Sequence, residues 1–281
     1  MRILITNDDG YQSKGIRTLA EIMRPFGDVS VVAPKRHQSG MGMAVSLGLK
    51  QLAYKDLGTD GNGVHWSYLD ATPASCVKYG LNFPREGRMP DVLVSGINHG
   101  SNACTAACYS GTLGAAMEGA LNGILSIGVS LDDLDPAADF SAVSALFPRI
   151  FRMILAARPV PFGTYYNVNF PNVPAGDIKG IRAAVMGMGR WEKEFAKWNP
   201  AHFSHFGITP ESLGQTSEVH LEEGEELYMM TGDYSDYEQN HPRADHHIMR
   251  DGYISISAHK IDTTDYTEFQ RMLSHGFDLD F

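Results

Sequence analysis

The sequence predicts an α/β fold in which a mostly parallel sheet is flanked by helices and followed by a β-rich C-terminal extension. Three observations predict it: a strand–helix–strand unit opens the chain, strand and helix patterns alternate up to residue 185, and residues 186–239 lose that periodicity. We therefore divide the chain into an α/β core over residues 1–185 and an extension over residues 186–281 that completes the same domain. We interpret the hairpins of the extension as an oligomerisation arm.

The opening unit is the strongest local pattern. Residues 2–6 form a short apolar run, and residues 28–33 form another. Between them, apolar residues fall at the i, i+3, i+4 and i+7 positions of a helix face, which Pro25 and Gly27 end: Ile16, Leu19, Ala20 and Met23. Because strand–helix–strand crossovers are right-handed, the two strands should be parallel.

The later elements follow from the same two periodicities. Strands are predicted at 91–94, 126–130, 165–170, 178–185 and 252–257, and helices around 113–120, over 147–155 with Pro148 starting or kinking it, and over 264–273. Residues 186–239 are interpreted as hairpins and loops, with a solvated acidic cluster at 222–226.

Composition limits the classes of ligand. The 281 residues include 23 Lys and Arg against 33 Asp and Glu, a formal net charge of −10, and 43% of the residues are hydrophobic. The apolar fraction excludes a disordered chain. The summed negative field repels polyanions, so we expect no binding to long nucleic acids or to anionic membranes. Any anionic ligand must be bound by a local feature.

Cysteine content and apolar runs indicate the compartment. The three cysteines, Cys76, Cys104 and Cys108, do not resemble a disulfide framework, and a lone Cys-x-x-x-Cys pair is a weak basis for structural zinc. We interpret them as free thiols. No signal-peptide region and no apolar run near the roughly 20 residues of a membrane span are visible. We expect a cytoplasmic protein.

Asp8 and Asp9 end the first predicted strand. In open parallel sheets, ligands bind outside the carboxyl ends of the strands. Two adjacent carboxylates there repel each other, and a hard divalent cation such as Mg²⁺ would compensate them. The alternative is an ordinary Asn-Asp-Asp-Gly turn that precedes a helix.

Two more strand-end loops favour the cation. Ser39 follows the second strand, and Asn98 and Asn102 follow the strand at 91–94. If these loops emerge at one edge, Asp8, Asp9, Ser39 and Asn98 could converge as oxygen ligands. His37 and His99 lie in the same loops, but a single loop histidine is more often a surface residue than a ligand.

A helix N-terminus supplies the complementary feature for an anion. Ser110 is a plausible N-cap, and backbone amides at a helix start favour a phosphate, with the Ser110 and Thr112 hydroxyls as further donors. The sequence has neither a Walker motif nor a Gly-x-Gly-x-x-Gly after its first strand, so it does not support binding of ATP or dinucleotides of those types.

Together these segments resemble a known family. The segments, whose order and spacing match through about residue 130, are Met1–Gly10, Val32–Pro34 with Ser39-Gly40, Thr72-Pro73 with Cys76-Val77, Ser95–Asn102 and Tyr109–Gly119. They are similar to the survival protein SurE family of metal-dependent nucleotidases, and Gly252–Ser257 resembles its late strand. The joint match is highly specific, although no single segment is.

The resemblance implies a Rossmann-like fold and a phosphomonoesterase that acts as a 5′-nucleotidase on nucleoside monophosphates, with 3′-phosphates left open. It implies one divalent cation per subunit, Mg²⁺ or Mn²⁺, and homodimers or homotetramers built with C-terminal arms. The family's metal ligands match Asp8, Asp9, Ser39 and Asn98. Its phosphate-binding positions match Asn102, Ser110, Gly111 and Thr112.

The chain also departs from the family pattern. Residues 103–108 read Ala-Cys-Thr-Ala-Ala-Cys where the family usually has Gly and two aspartates, and Ser75 and Lys35 stand where Asp is common. The four metal-ligand matches remain. The departures concern loop shape, substrate preference and subunit contacts more than activity.

Three hypotheses about function fit these residues, two of them catalytic. In the first, a cation-activated water attacks phosphorus while Asp8 or Asp9 accepts its proton. In the second, one aspartate forms an aspartyl phosphate, which adjacent aspartates without Asp-x-Asp spacing make less attractive. In the third, a non-catalytic regulator binds nucleotide and retains the metal site.

Two further histidine pairs are present outside these motifs. His202 with His205, and His246 with His247, suggest a separate transition-metal site. No third ligand stands at a recognisable spacing, so we interpret them as surface or interface histidines.

Overall fold

The computed structural model describes residues 1–48, 51–210 and 219–278. The strands are β1 Arg2–Thr6, β2 Asp28–Pro34, β3 Tyr54–Thr59, β4 His65–Leu69, β5 Val92–His99, β6 Leu125–Leu131, β7 Thr164–Phe170, β8 Ile181–Ala184, β9 Gly189–Glu192, β10 Phe195–Lys197, β11 Tyr228–Met230, β12 Asp233–Asp236 and β13 Ile254–Lys260. The helices are α1 Lys14–Met23, α2 Pro73–Asn82, α3 Gly111–Leu121, α4 Ser141–Ala156, α5 Asp245–Arg250 and α6 Tyr266–Ser274.

A nine-stranded sheet forms the centre, in the order β3-β4-β2-β1-β5-β6-β7-β13-β8. The six strands from β4 to β7 in this order are parallel, as predicted. β3 and β13 run antiparallel to their neighbours β4 and β7. Since β13 lies in the extension and pairs with β7, the C-terminal part of the chain contributes a strand to the core sheet.

Helices cover both faces of this sheet, and the alternation in β1 shows it. Ile3 and Ile5 lie in a core cluster with α1 and α4, while Leu4 points to a second cluster that contains α2 residues. Strands covered on both faces are apolar throughout, which explains the run Ile-Leu-Ile. The predicted α/β architecture is confirmed.

The order of the strands places the loops of interest together. β1 is central, and its partners β2 and β5 lie on opposite sides of it. Strands are therefore added first on one side of β1 and then on the other, which makes the edge beside β1 a topological switch point. Open α/β sheets bind ligands at such points. The segments that follow these three strands all start at the same edge.

Some elements differ from the prediction. α4 begins at Ser141, and Pro148 lies inside it rather than at its start. The helix continues through Pro148 because apolar residues before and after the proline pack into the same core cluster. These residues are Val143, Phe147, Ile150 and Phe151. β5 runs on to His99, so Asn98 belongs to the strand end and not to a loop.

The sequence prediction missed β3, β4, α2 and α5. β3 is almost entirely exposed and carries a bulge between Asp56 and Gly58, so it has no apolar alternation. α2 did have start signals, because Thr72 accepts a hydrogen bond from the Ser75 amide as N-cap and Pro73 occupies the first turn. In 186–239, where hairpins were predicted, the structure has two antiparallel strand pairs, β9 with β12 and β10 with β11.

Gly15 tests the packing of α1 on the sheet. A Cβ at Gly15 would lie 2.1 Å from the Ile97 backbone oxygen. Alanine gains roughly 1 kcal/mol in helix propensity, but a clash with backbone costs more, so Gly15→Ala should lower the free energy of unfolding by about 2 kcal/mol. Urea denaturation measures it. Gly61→Ala is the control, because a Cβ at Gly61 would have no atom of the described residues within 4 Å, and an equal loss there would contradict the packing argument.

Among the described helices, none is long and apolar enough to cross a membrane. The cytoplasmic location stays a prediction.

Candidate active site

The turn after β1 presents the two aspartates. Asn7 shapes it from within, because its amide donates to the Gly10 backbone oxygen at 3.0 Å and to the Ser13 hydroxyl at 2.9 Å. The Gly10 amide donates back to the Asn7 side-chain oxygen at 3.2 Å. Gly10 has a φ of +96°, which glycine adopts without strain. Asn7 holds this turn, a role that no local sequence pattern indicates.

Asp8 is buried and carries a perturbed carboxyl group. Only 3% of the residue is exposed. Burial, together with the negative charge of Asp9, raises the pKa of Asp8 to about 7, although a hydrogen bond from Thr112 opposes the shift. The Thr112 hydroxyl donates to Asp8 Oδ1 at 2.5 Å. The charged form of Asp8 therefore needs a positive partner.

Asp9 lies beside it with its two oxygens in different surroundings. His37 Nδ1 lies 3.4 Å from Asp9 Oδ1. Burial works against a charged His37 imidazole, but the hydrogen bond and charge of Asp9 outweigh it and raise the pKa of His37. Asp9 Oδ2 is buried and has no hydrogen-bond partner among the described residues. His37, expected to be an ordinary surface histidine, instead contacts the site.

Asn98 and Ser39 reach the same edge from β5 and from the segment after β2. The Asn98 amide donates to the backbone oxygens of His99 and Gly100 at 3.1 and 2.7 Å. This orientation turns Asn98 Oδ1 towards the Thr112 hydroxyl, 3.5 Å away. Ser39 is exposed and lines one cleft with Asp8 and Asn98. The structure thus brings the four predicted ligands to one edge.

This donor set fits a hard divalent cation. It consists of carboxylate, amide and hydroxyl oxygens, which Mg²⁺ and Mn²⁺ prefer. A buried carboxylate oxygen without a partner is costly, and a cation would satisfy Asp9 Oδ2 while it relieves the repulsion between the two aspartates.

The start of α3 forms the neighbouring wall. Ser110 is the N-cap, and its hydroxyl accepts a hydrogen bond from the Leu113 amide at 3.1 Å. A Cβ at Gly111 would lie 2.9 Å from the Asp8 Cβ, so only glycine lets the helix start this close to the carboxylate. The amides of Gly111 and Thr112 lie in the first turn, where helix geometry provides no acceptor.

The other two predicted phosphate-binding side chains already have partners. Thr112 is fully buried and its hydroxyl is bonded to Asp8. The Asn102 amide donates to the Ser130 hydroxyl at 2.8 Å, although Asn102 still lines the cleft. Their contact with a phosphate stays a prediction.

The cleft itself has a volume of 420 Å³ and is closed partly by the extension. Besides the predicted residues, its walls include Trp191, Glu194, Met230 and Thr231. These four residues carry no sequence signal, because short exposed strands show no periodic pattern. Their place in the cleft depends on how the hairpins fold back.

The unusual segment 103–108 lies against this cleft and is held by a buried aspartate. Asp245 is fully buried and accepts hydrogen bonds from the amides of Cys104, Gly187 and His246 at 3.0, 3.0 and 2.9 Å. Residues Cys104–Cys108 form one short 3₁₀ helix, from which Ala106 lines the cleft. The cysteines are free, as predicted. Asp245 was missed because a lone Asp after an irregular stretch carries no signal.

Comparison with known proteins identifies the family. The family model described as Survival protein SurE matches residues 3–193, more than half of the chain. The chain belongs to the SurE family. The SurE match includes all eight residues predicted for metal and phosphate, but it ends before Met230, Thr231 and Asp245.

Individual SurE proteins extend the similarity along the chain. A protein of Bacteroides fragilis named 5′-nucleotidase SurE is 36% identical over 267 residues, which cover 94% of this chain and 93% of that protein. A 5′-nucleotidase SurE of Cytophaga hutchinsonii is 45% identical over 194 residues, 69% of this chain and 73% of its own. The crystal structure of the SurE protein from Aquifex aeolicus superposes with a TM-score of 0.75 at 28% identity, covering 98% of this chain and 99% of that one.

Proposed function

We propose that this protein is a 5′-nucleotidase that hydrolyses nucleoside monophosphates to a nucleoside and inorganic phosphate with the help of a divalent cation. The observation that carries the proposal is the pair Asp8 and Asp9, with a buried oxygen that no described residue satisfies, directly beside the N-terminus of α3. The names of the curated relatives support the nucleotidase activity.

Asp8, Asp9, Ser39 and Asn98 would hold one Mg²⁺ or Mn²⁺ per subunit. When bound, the cation would neutralise phosphate charge and make a water more acidic. The formal net charge of −10 is compatible with an anionic substrate, because the local field at the site would be reversed.

The residues of the chain supply position and a proton acceptor. The first-turn amides of α3 and the Ser110 hydroxyl would hold the phosphate oxygens, and Asn102 would flank them. One carboxylate, of Asp9 or Asp8, would accept the proton of the attacking water. Thr112 keeps Asp8 oriented through its 2.5 Å hydrogen bond.

A phosphate-release screen tests the proposal. Purified protein is assayed on 5′- and 3′-nucleoside monophosphates with Mg²⁺, with Mn²⁺ and with a chelator. We expect release from 5′-substrates that requires the cation and stops on chelation. Metal-dependent binding without phosphate release would instead support the regulator, and release that survives chelation would contradict the role of the cation.

Thr112 gives a prediction about the orientation of Asp8. Thr112→Val removes the hydroxyl but keeps the shape, so kcat/KM should fall by about tenfold, the value of one hydrogen bond to a charged group. Steady-state kinetics measures this. Thr112→Ser is the matched control, since it retains the donor to Asp8 Oδ1. Equal losses in both variants would show that the methyl group and not the hydroxyl matters.

We also propose a homodimer or homotetramer. The β10–β11 hairpin exposes several large apolar side chains, with 68% of Phe195, 51% of Tyr228 and 64% of Met230 accessible. Exposed apolar clusters of this kind mark contact surfaces. Light scattering on the purified chain measures the assembly, and a monomer would contradict the proposal.

A further inference from the structure

A second cluster of potential metal ligands lies outside the active site, where β12 meets α5. His246 and His247 are adjacent in α5, and their rings lie 4.1 Å apart between centroids. Asp236 ends β12 and faces both rings. The sequence offered no third ligand near this histidine pair, and the fold supplies one.

The potential ligand atoms of the three side chains lie close to one another. His246 Nε2 lies 2.9 Å from Asp236 Oδ1, and His247 Nε2 lies 2.6 Å from Asp236 Oδ2. Among the residues that the structure describes, this is the one group of three or more His, Cys, Asp or Glu side chains whose ligand atoms all lie within 4.8 Å of one another. The side chains of Asp236, His246 and His247 are 40%, 18% and 22% exposed, so an ion can enter from solvent.

The far side of His246 is the second, independent observation. His246 Nδ1 is buried without a hydrogen-bond partner in the described part of the chain, and the buried carboxylate of Asp245 lies 3.5 Å from it. Gly187 packs against this nitrogen, since a Cβ there would come within 2.2 Å of it. Histidines that bind metal through one nitrogen generally donate the other N–H to a carboxylate.

If His246 is neutral and donates its Nε2 proton to Asp236, its Nδ1 carries no proton and faces the Asp245 carboxylate. A cation on Nε2 moves the ring proton to Nδ1, where Asp245 can accept it. Asp236 is oriented in turn, because the Asn240 amide donates to its Oδ1 at 2.7 Å. The cluster therefore has both the ligands and the outer partners of a metal site.

We propose that Asp236, His246 and His247 bind a divalent transition metal, Zn²⁺ by the chemistry of the ligands, at a site separate from Asp8 and Asp9. Two imidazoles and one carboxylate are a common zinc set, with water in the fourth position. Zinc bonds of about 2.0 Å place neighbouring ligand atoms roughly 3.3 Å apart. The part-exposed side chains would therefore separate by roughly 0.4 to 0.7 Å from their distances of 2.9 and 2.6 Å.

The site would fasten β12 to α5, and α5 in turn contacts β13 of the central sheet. β12 pairs with β9 so that Tyr234 lies opposite Trp191, and Trp191 is a wall of the cleft. A metal that joins the end of β12 to α5 would hold this hairpin in place. None of the three proposed ligands lines the cleft, so in this proposal the ion would hold the two elements together and not act on the substrate.

The test uses Zn²⁺ as the only added metal and a protein in which the two active-site aspartates are replaced. Zn²⁺ is titrated by calorimetry into the full chain that carries Asp8→Asn and Asp9→Asn, and Co²⁺ absorption is recorded in parallel. We expect one saturable equivalent of Zn²⁺, Co²⁺ bands typical of nitrogen ligands, and a higher melting temperature with Zn²⁺. Since the background variant lacks the active-site carboxylates, the result is independent of the nucleotidase proposal.

Matched variants locate the ion. In the same background, His247→Ala and Asp236→Asn should each weaken Zn²⁺ binding at least about tenfold and abolish the thermal shift, whereas His220→Ala, an exposed histidine outside the cluster, should change neither. Circular dichroism checks the fold of each variant. If His247→Ala unfolds, the result for Asp236→Asn decides, because this substitution preserves the size of the side chain. Absence of a saturable equivalent, or binding that both cluster variants leave unchanged, would overturn the proposal.

Discussion

Asp8→Asn and Asp9→Asn will each lower kcat/KM for nucleoside monophosphates by about 10³-fold, because each removes a carboxylate that holds the cation or accepts a proton. Stability should not fall in parallel. In chelated protein the two adjacent carboxylates repel each other, and no described residue satisfies the buried Asp9 Oδ2, so a neutral amide relieves an unfavourable contact. Phosphate-release kinetics and melting temperature in chelator measure both quantities.

The exposed Asp28, at the start of β2, provides the control. Asp28→Asn should leave kcat/KM unchanged within about twofold, because surface substitutions away from a site have small effects. Full turnover in both Asp8→Asn and Asp9→Asn would contradict the cation mechanism. A phosphorylated aspartate trapped by rapid quench of the wild-type enzyme would favour the aspartyl phosphate instead.

Asp245→Ala will lower the free energy of unfolding by about 3 kcal/mol or more. The substitution leaves the buried amides of Cys104 and Gly187 and the part-buried amide of His246 without their acceptor, and each buried unsatisfied donor costs about 1–3 kcal/mol. Urea denaturation measures the loss. The same aspartate joins the 103–108 segment to the extension, so kcat/KM should fall as well, since Ala106 of that segment lines the cleft.

Asp251, exposed at the C-terminal end of α5, is the matched control for this prediction. Asp251→Ala should change the free energy of unfolding by less than about 0.5 kcal/mol. If Asp245→Ala were as stable as the wild-type chain, water would have to reach the amides that the structure shows buried, and the role of Asp245 as the link between segments would be wrong.

The core of the fold could be predicted because its signals are local. β1 is apolar throughout because both of its faces are buried, and α1 has helically spaced apolar residues because one of its faces is buried. Asp8 and Asp9 could be placed at a functional edge for the same reason, since the carboxyl end of a parallel strand is a binding position whatever follows it. The exposed strand β3, which has no apolar alternation, gave no such signal.

The site depended on contacts that no local pattern encodes. Three features of the site follow from the meeting of three strands at β1. Thr112 donates to Asp8, His37 reaches Asp9, and Asp9 retains an oxygen that the described residues do not satisfy. Their partners lie far apart in the sequence, and side-chain direction is decided by packing.

By itself, the sequence determined the α/β class, the central strand–helix–strand unit and the residues with suitable chemistry, because burial and backbone preference act over a few neighbouring residues. Only the tertiary structure decided which residues act together. It brought Trp191 from the extension into the cleft, placed Asp245 under the 103–108 segment, and set Asp236 against His246. These contacts arise from long-range packing, whose partners share no periodicity or spacing that could reveal them.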